Sequence, residues 1–473
     1  MQAALDLVTR SARSYLAELD DRPAREPGAA ELARSFRGTL PEDGSGTEAA
    51  LRELVERGRA ANVHTTGPKC FHFVIGGTTP AAMGADLWTA VVDQIAYAWV
   101  VAPLAVELER VVIGWMADLF ELPHHTSGVL TSGATMANYV GLIAARQWWA
   151  ERHGVDVAEQ GFSSLPPMPV FSSGYIHASS VKALGMLGIG RSSVRRFARD
   201  ARGRADLEAM ERALQDLNGA PAVLIANAGE VNAGDFDPID AMADLAEKYG
   251  AWLHVDGAFG LFARLCPKIA NVTKGVERAN SVCVDGHKWL NVPYDCGFAF
   301  VKDVELLTKS FVYDGAYLPD PNDAEPVVGS IAPESSRRAR SLPVWATLRA
   351  YGRSGIRAMI ERHVELTARM AQRVDEAPEL ERLAEANLCI VCFRSVPEGI
   401  PESELDAFNT LLGKAIIEDG RYYAGATTFE GRVALRPALV NWRIREEDVD
   451  GFIEVVRELS AETAYKMRTR ATT

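Results

Sequence analysis

The chain has 473 residues, 48% of them hydrophobic, which suits a folded protein with sizeable cores and excludes the disordered and fibrous classes. Fifty lysines and arginines stand against 63 aspartates and glutamates, a formal charge of −13. With no basic stretch able to track a phosphate backbone, nucleic acid is not an expected partner.

Length alone points to about two to three domains. The opening stretch, MQAALDLVTRSARSYLAELDDRP, sets Asp6 and Arg10 inside its first apolar segment, so a secretory signal is not expected. No run of about eighteen apolar residues occurs, which reads against a membrane span. Residues 1 to about 75 read as amphipathic helices, TEAALRELVERGRAA among them. A glycine-rich turn, VIGGTTP, follows Phe73, and then helical patterns such as PLAVELERVVIGWMADLFEL, apolar at every third and fourth position.

From residue 128 short β-rich runs (GVLTS, MPVFSS, PAVLIANAG, AWLHVDGAF, SVCVDG, GFAFVKD) alternate with helical segments (TMANYVGLIAARQWW, DLEAMERALQDL, PIDAMADLAEKYG). That alternation predicts an α/β fold of βαβ units around a buried, mostly parallel sheet. A loop rich in Pro, Asp and Ser spans roughly 318–337, and loops of that length are either functional lids or disordered. Beyond Pro343 a long helix, VWATLRAYGRSGIRAMIERHVELTARMAQRV, leads to strands LCIVCF and RVALRPAL and a closing helix, DVDGFIEVVREL, a smaller α+β unit. The expected boundaries are therefore 1–75, 76–345 and 346–473.

The six cysteines, Cys70, Cys266, Cys283, Cys296, Cys389 and Cys392, are too few and scattered for a disulfide framework, and a reduced cytoplasm is expected. Cys389 and Cys392 lie in the run LCIVCF, where a strand would point the two thiols to opposite faces. No second pair is present to complete a zinc site, and no metal is expected.

Candidate chemistry begins with CVDGHKWLNV, residues 283–292, where an apolar run delivers Lys288 between His287 and Trp289. Lysine is almost never buried without a partner. In an open parallel sheet ligands bind beyond the carboxyl ends of the strands, so charges that close apolar strands are the first suspects. WLHV ends on Asp256 and SVCVDGH on Lys288. On neighbouring strands the two would share one site, or else form a structural ion pair. GVLTSGATMAN reads as strand, small-residue turn and helix, with Ser132, Gly133, Ala134 and Thr135 letting backbone N–H groups crowd an anion, although small residues also simply permit tight packing. It is neither a P-loop nor a dinucleotide fingerprint. Anion cradle, carboxylate and strand-end amine together suit pyridoxal 5′-phosphate (PLP): the helix N-terminus for the phosphate, the carboxylate for the ring nitrogen and the amine for the aldehyde.

On these residues the chain resembles the group II PLP-dependent amino acid decarboxylases, the class of the aromatic-L-amino-acid and glutamate decarboxylases. The likeness runs from about Phe71 to Ile453; His287-Lys288-Trp289 with NVPYDCG is its most specific stretch, and HVDGAF at 254–259 is next. The resemblance implies fold type I, with a seven-stranded large domain, a small C-terminal domain and an N-terminal helical arm that wraps a second copy in a homodimer. It assigns Lys288 to the Schiff base, Asp256 to the ring nitrogen, Ala258 to one ring face and His177, in GYIHASSVKA, to the other. Ala134, Thr135, Asp285 and His287 match its phosphate-side positions. Tyr317, in DGAYL, matches the tyrosine that protonates the substrate carbon after CO₂ leaves, and Arg436, in VALRPALVN, matches a small-domain arginine near the site. Ile95, Tyr97 and Trp99, in QIAYAWVVAP, match side-chain pocket positions, partly contributed by the second subunit. An apolar, partly aromatic wall favours an aromatic or large aliphatic amino acid over glutamate. Residues of those types also serve as ordinary helix core.

Two positions depart from the family pattern. Gly229-Glu230-Val231 stands where relatives carry Gly-Thr-Thr, and Asp285 where the mammalian aromatic enzyme has asparagine. An anion close to a phosphate is costly unless paired. The implied activity is decarboxylation of an L-amino acid to its amine. The alternatives are an aldehyde synthase, a carbon–carbon lyase resembling sphingosine-phosphate lyase, or a PLP-binding protein without turnover.

Overall fold

The computed structural model describes residues 1–312 and 325–471. The chain divides into two compact units, one of Thr78–Val364, the other of Met1–Gly77 together with Glu365–Thr473. The chain passes between them twice, after Gly77 and after Val364, the second time inside the helix Ser341–Asp375, whose regular backbone is interrupted at Gly352.

The Thr78–Val364 unit is built on a seven-stranded sheet: β1 (Ser127–Thr131), β2 (Val170–Ser172), β3 (Val194–Arg196), β4 (Val223–Asn227), β5 (Trp252–Asp256), β6 (Ser281–Asp285) and β7 (Gly297–Val301). Their order is β1-β7-β6-β5-β4-β2-β3. All run parallel except β7, which is antiparallel to both of its neighbours, β1 and β6. Every residue of β4, β5, β6 and β7 is buried, as expected for strands covered on both faces. The mostly parallel α/β architecture read from the alternation is therefore present. β3 escaped that reading because its Val194-Arg195-Arg196 is an exposed edge strand with no apolar run.

Helix Ala134–Glu151 lies across β5, β6 and β7. Its face toward the sheet is small, with Ala137 and Ala144 fully buried. At Gly141 a Cβ would fall 2.7 Å from the His254 ring, so only glycine admits that imidazole beneath the helix. Helix Ala178–Met186 is capped by His177, whose Nδ1 accepts the Ser179 N–H at 3.2 Å. Helix Ile239–Tyr249 stops at Gly250 in a left-handed conformation.

In the other unit, helices Gln2–Glu18, Ala29–Arg34 and Thr47–Ala61 share a compact body with a four-stranded antiparallel sheet: β8 (Leu380–Arg382), β9 (Phe393–Ser395), β10 (Ala426–Phe429) and β11 (Arg432–Leu435). Phe71 is the link, fully buried in a core with Phe393, Phe408, Leu439 and Phe452; its N–H donates to the Tyr423 carbonyl at 2.8 Å. LCIVCF, expected as a strand, enters the sheet only at Phe393. Before it, Cys389 and Val391 pair irregularly with Leu439 and Pro437, and proline cannot donate to a ladder. Both thiols of that run are buried. Among the described residues no helix is long and apolar enough to cross a membrane.

Candidate active site

Side chains alternate along a strand, so Trp252, His254 and Asp256 of β5 share a face, as do Ser281, Cys283 and Asp285 of β6. The parallel register sets His254 beside Ser281 and Asp256 beside Cys283. Both rows lie beneath helix Ala134–Glu151, which adds Asn138 from its second turn. Thr131, Asp256 and Asp285 all close their strands at one edge of the sheet, where the topology places ligands.

Asp256 is 5% exposed and well supplied with donors. Its Oδ2 accepts from Asn138 Nδ2 at 2.9 Å and Ser180 Oγ at 3.0 Å. Its Oδ1 accepts the Ala258 N–H at 3.2 Å and lies 3.3 Å from the Cys283 thiol. Burial pushes the carboxyl toward the neutral form, but the charge of His177, the Asn138 hydrogen bond and the Lys288 ammonium outweigh it and hold the pKa below the usual value. Asp256 is thus a buried carboxylate that stays ionised.

Lys288 follows β6 on a turn anchored by Trp289, which is fully buried and donates from Nε1 to His363 Nδ1 at 2.8 Å. The lysine side chain is 19% exposed. Its Nζ lies 3.0 Å from Asp285 Oδ2 and 5.7 Å from the centre of the Phe259 ring. The other Asp285 oxygen accepts the Ala134 N–H at 2.5 Å and lies 3.3 Å from His287 Nε2. His287 Nδ1 accepts the Cys296 N–H at 3.2 Å, so the neutral ring carries its proton on Nε2, toward Asp285. Burial lowers the His287 pKa, and Tyr294 stacks on the ring at 4.2 Å.

The structure thus brings Lys288, Asp285, His287 and Ala134 into direct contact, with Asp256, Ala258 and His177 on the adjoining strand end and helix cap. Thr135 is half-buried in the first turn of the same helix as Ala134. Ile95, Tyr97 and Trp99 lie on a segment paired with the far side of the long loop: the Ala96 N–H donates to Arg337 O, the Trp99 N–H to Pro326 O and the Gly329 N–H to Tyr97 O. Arg436 belongs to the other unit, where its charge acts on His72. Tyr317 lies outside the described residues.

Glu230 is turned into its own loop. Its carboxylate accepts from the Asn232 N–H at 2.9 Å, Asn232 Nδ2 at 2.6 Å and the Ala233 N–H at 2.8 Å, so its charge is absorbed by the turn. Asn138, Ser180, His254 and Cys283, which contact Asp256 or one another, escaped the sequence reading. Asn138 stands at the end of GVLTSGATMAN, but only the helix packing shows that it faces inward.

The residues present fit the cofactor by their own chemistry. At the start of the helix Ala134–Glu151, a Cβ on Gly133 would lie 2.8 Å from His287 Cε1 and 3.3 Å from Asp285 Oδ1, so glycine lets the imidazole and the carboxylate pack against the helix N-terminus. An ionised buried carboxylate and a partly exposed amine close the two strands beside it.

Residues 39–396 match the family described as the pyridoxal-dependent decarboxylase conserved domain. The chain is 27% identical over 469 residues to an aromatic-L-amino-acid decarboxylase of Bacillus atrophaeus, covering 98% of this chain and 95% of that one. It is 28% identical to a phenylacetaldehyde synthase of Arabidopsis thaliana, covering 85% of this chain and 84% of the relative. Its fold matches the crystal structure of Oryza sativa TDC with PLP and tryptamine with a TM-score of 0.88 at 24% identity, covering 98% and 97% of the two chains.

Proposed function

The chain belongs to the pyridoxal-dependent decarboxylase family and is a PLP-dependent carboxy-lyase acting on an amino acid, and from that premise we propose that its substrate is an aromatic or large apolar L-amino acid and that Lys288 is the amine that holds the cofactor. The observation that carries the reading is that Lys288, partly exposed on the turn after β6 and 3.0 Å from Asp285, lies close enough for its charge to act on Asp256, buried yet ionised at the end of β5.

When bound, PLP supplies an electron sink for the pair left on the substrate Cα as CO₂ departs. Asp256, buried and ionised, would hold a proton on the ring nitrogen. Ala134, Thr135 and His287 are the residues that would hold the phosphate, and His177 and Ala258 those that would meet the ring. Neutral His287 offers its Nε2 proton as a donor. Asp285, which accepts from Ala134 and Lys288, keeps the amine in place. Tyr317 returns a proton to Cα. Ile95, Tyr97 and Trp99 form the side-chain wall.

The same reading makes the active form a homodimer. Leu87, Trp88 and Val91 on helix Pro80–Val92, and Val100, Val101 and Leu104 beyond it, are each more than half exposed. Exposed apolar side chains of that number are costly in water, and a second copy of the chain covers them.

The decisive experiment loads the purified chain with PLP, reduces it with borohydride and maps the adduct by mass spectrometry, then screens the proteinogenic amino acids and dihydroxyphenylalanine for amine product. An adduct at Lys288 with an aromatic amine product is expected. No adduct at Lys288 defeats the assignment, and turnover confined to acidic amino acids defeats the substrate class.

A further inference from the structure

Behind Asp256 the buried polar side chains form a chain of hydrogen bonds with a direction. Trp252 Nε1, which can only donate, lies 3.0 Å from Ser281 Oγ. Ser281 Oγ is 2.8 Å from His254 Nδ1, His254 Nε2 is 2.7 Å from Asn138 Oδ1, and Asn138 Nδ2 is 2.9 Å from Asp256 Oδ2. All five residues are at most 5% exposed, so no water is free to substitute for a missing partner.

The two ends fix the order. Ionised Asp256 only accepts, so Asn138 turns its amide nitrogen to it and its oxygen to His254. That oxygen requires an N–H on His254 Nε2. Burial holds the His254 pKa at about 4, so near neutrality the ring has one proton, and Nδ1 accepts from the Ser281 hydroxyl. A longer contact of 3.5 Å to the Gly141 carbonyl competes for that proton. The Cys283 thiol, 3.1 Å from Asn138 Oδ1, is pushed well up in pKa by burial and stays a neutral donor to the same oxygen.

We infer that His254 is a positioning residue: its Nε2 proton locks the Asn138 amide so that its nitrogen faces Asp256, giving the carboxylate a fixed donor at Oδ2. With the opposite amide orientation two acceptors would meet, Asn138 Oδ1 against the Asp256 carboxylate. The inference rests on the reading that Asp256 serves the ring nitrogen. The ionisable groups acting on Asp256 are His177 from a helix cap, His254 beside it on β5, Cys283 on β6 and Lys288 on the following turn.

Two measurements on the full chain loaded with PLP test it. With nitrogen-15-labelled histidine, and His254 assigned by its loss in His254→Gln, the ring is expected neutral and protonated on Nε2 between about pH 6 and 8. An imidazolium or an Nδ1-protonated ring overturns the inference, and this readout needs no destabilised variant. In the second, the pH titration of the bound cofactor's absorption and its affinity are compared in wild type, His254→Leu and His254→Gln. Leucine cannot donate, so affinity should fall about tenfold, and because Asp256 without its fixed donor holds a proton more tightly the titration should move about one unit higher. Glutamine can accept from Ser281 and donate to Asn138, so it should restore both. A His254→Leu protein matching wild type in both overturns the inference. Wild type that binds no PLP instead defeats the assignment of Asp256, while the tautomer, measured on the unloaded chain, still judges the lock.

Discussion

The Lys288 ammonium lies 3.0 Å from one oxygen of Asp285 while the other oxygen takes the Ala134 N–H at 2.5 Å. One carboxylate therefore joins the amine to the helix start assigned to the phosphate. Asp285→Asn keeps the shape and the acceptor oxygen but removes a negative charge from beside an anion. Apoprotein titrated with PLP should bind about tenfold more tightly in the variant, because like charges at short range in a low-dielectric site repel strongly. Weaker binding would mean that Asp285 acts mainly to hold Lys288.

Lys288→Ala removes the amine but leaves Asp285 its contacts to Ala134 and His287, so the chain should fold. It should bind PLP reversibly, lose the borohydride-stable adduct and lose at least about a thousandfold in kcat, the scale on which covalent and acid–base groups act. Intact mass and single-turnover assays check both. Retention of most activity would remove Lys288 from the chemistry.

Much of this site was legible because an apolar run that ends on a charge is a local signal: WLHVD and SVCVDGHK reveal themselves without a neighbour. What joins them is not local. The pairing of His254 with Ser281 depends on strand register, and Asn138 reads as one more polar residue of an amphipathic helix until the helix is laid on the sheet. Glu230 misleads in the opposite way, since a charge that looks available to the cofactor is consumed by its own turn. β3 carries no apolar pattern to read, and Phe71 joins the C-terminal core through contacts more than 300 residues away in sequence, such as its edge-on packing against Phe452.

Arg337 and Glu109 form a buried two-pronged ion pair at 2.8 and 3.0 Å, and Arg337 also donates to the carbonyls of Ala96 and Leu130. Arg337→Met leaves Glu109 buried and uncompensated, which should cost about 3–5 kcal/mol, read from the urea midpoint. Arg337→Lys should not rescue it, because a point charge cannot reproduce the fork. The double variant Arg337→Met/Glu109→Leu should recover much of the loss. Because Arg337 also pairs with Ala96, between Ile95 and Tyr97, KM should rise more than kcat falls in Arg337→Lys. An unchanged KM would separate this ion pair from the pocket.

Tyr317→Phe tests the branch after CO₂ is lost. Without the phenol, product should shift from amine toward aldehyde, measured as the ratio of the two by mass spectrometry. An unchanged amine yield would show that another group returns the proton to Cα.

His254 also makes stability depend on pH, with a sign that can be worked out. Its pKa is about 4 in the folded chain against 6.5 ordinarily, so between those values the unfolded chain binds the extra proton and acid favours unfolding. The stabilising contribution is full above about pH 6.5 and is lost by pH 4, a change of about 3 kcal/mol. Asp237 acts oppositely, because burial raises its pKa to about 6; acid stabilises the folded chain between that value and 3.8. In wild type these two effects overlap with that of His72, which burial also lowers to about 4, so its own acid profile does not resolve them. They separate in the difference between wild type and His254→Gln, which retains Asp237 but lacks the imidazole. That difference in unfolding free energy should move by about 3 kcal/mol in favour of the glutamine variant from pH 7 to pH 4. A difference that stays flat across the window would mean that position 254 takes up a proton as readily in the folded chain as in the unfolded one.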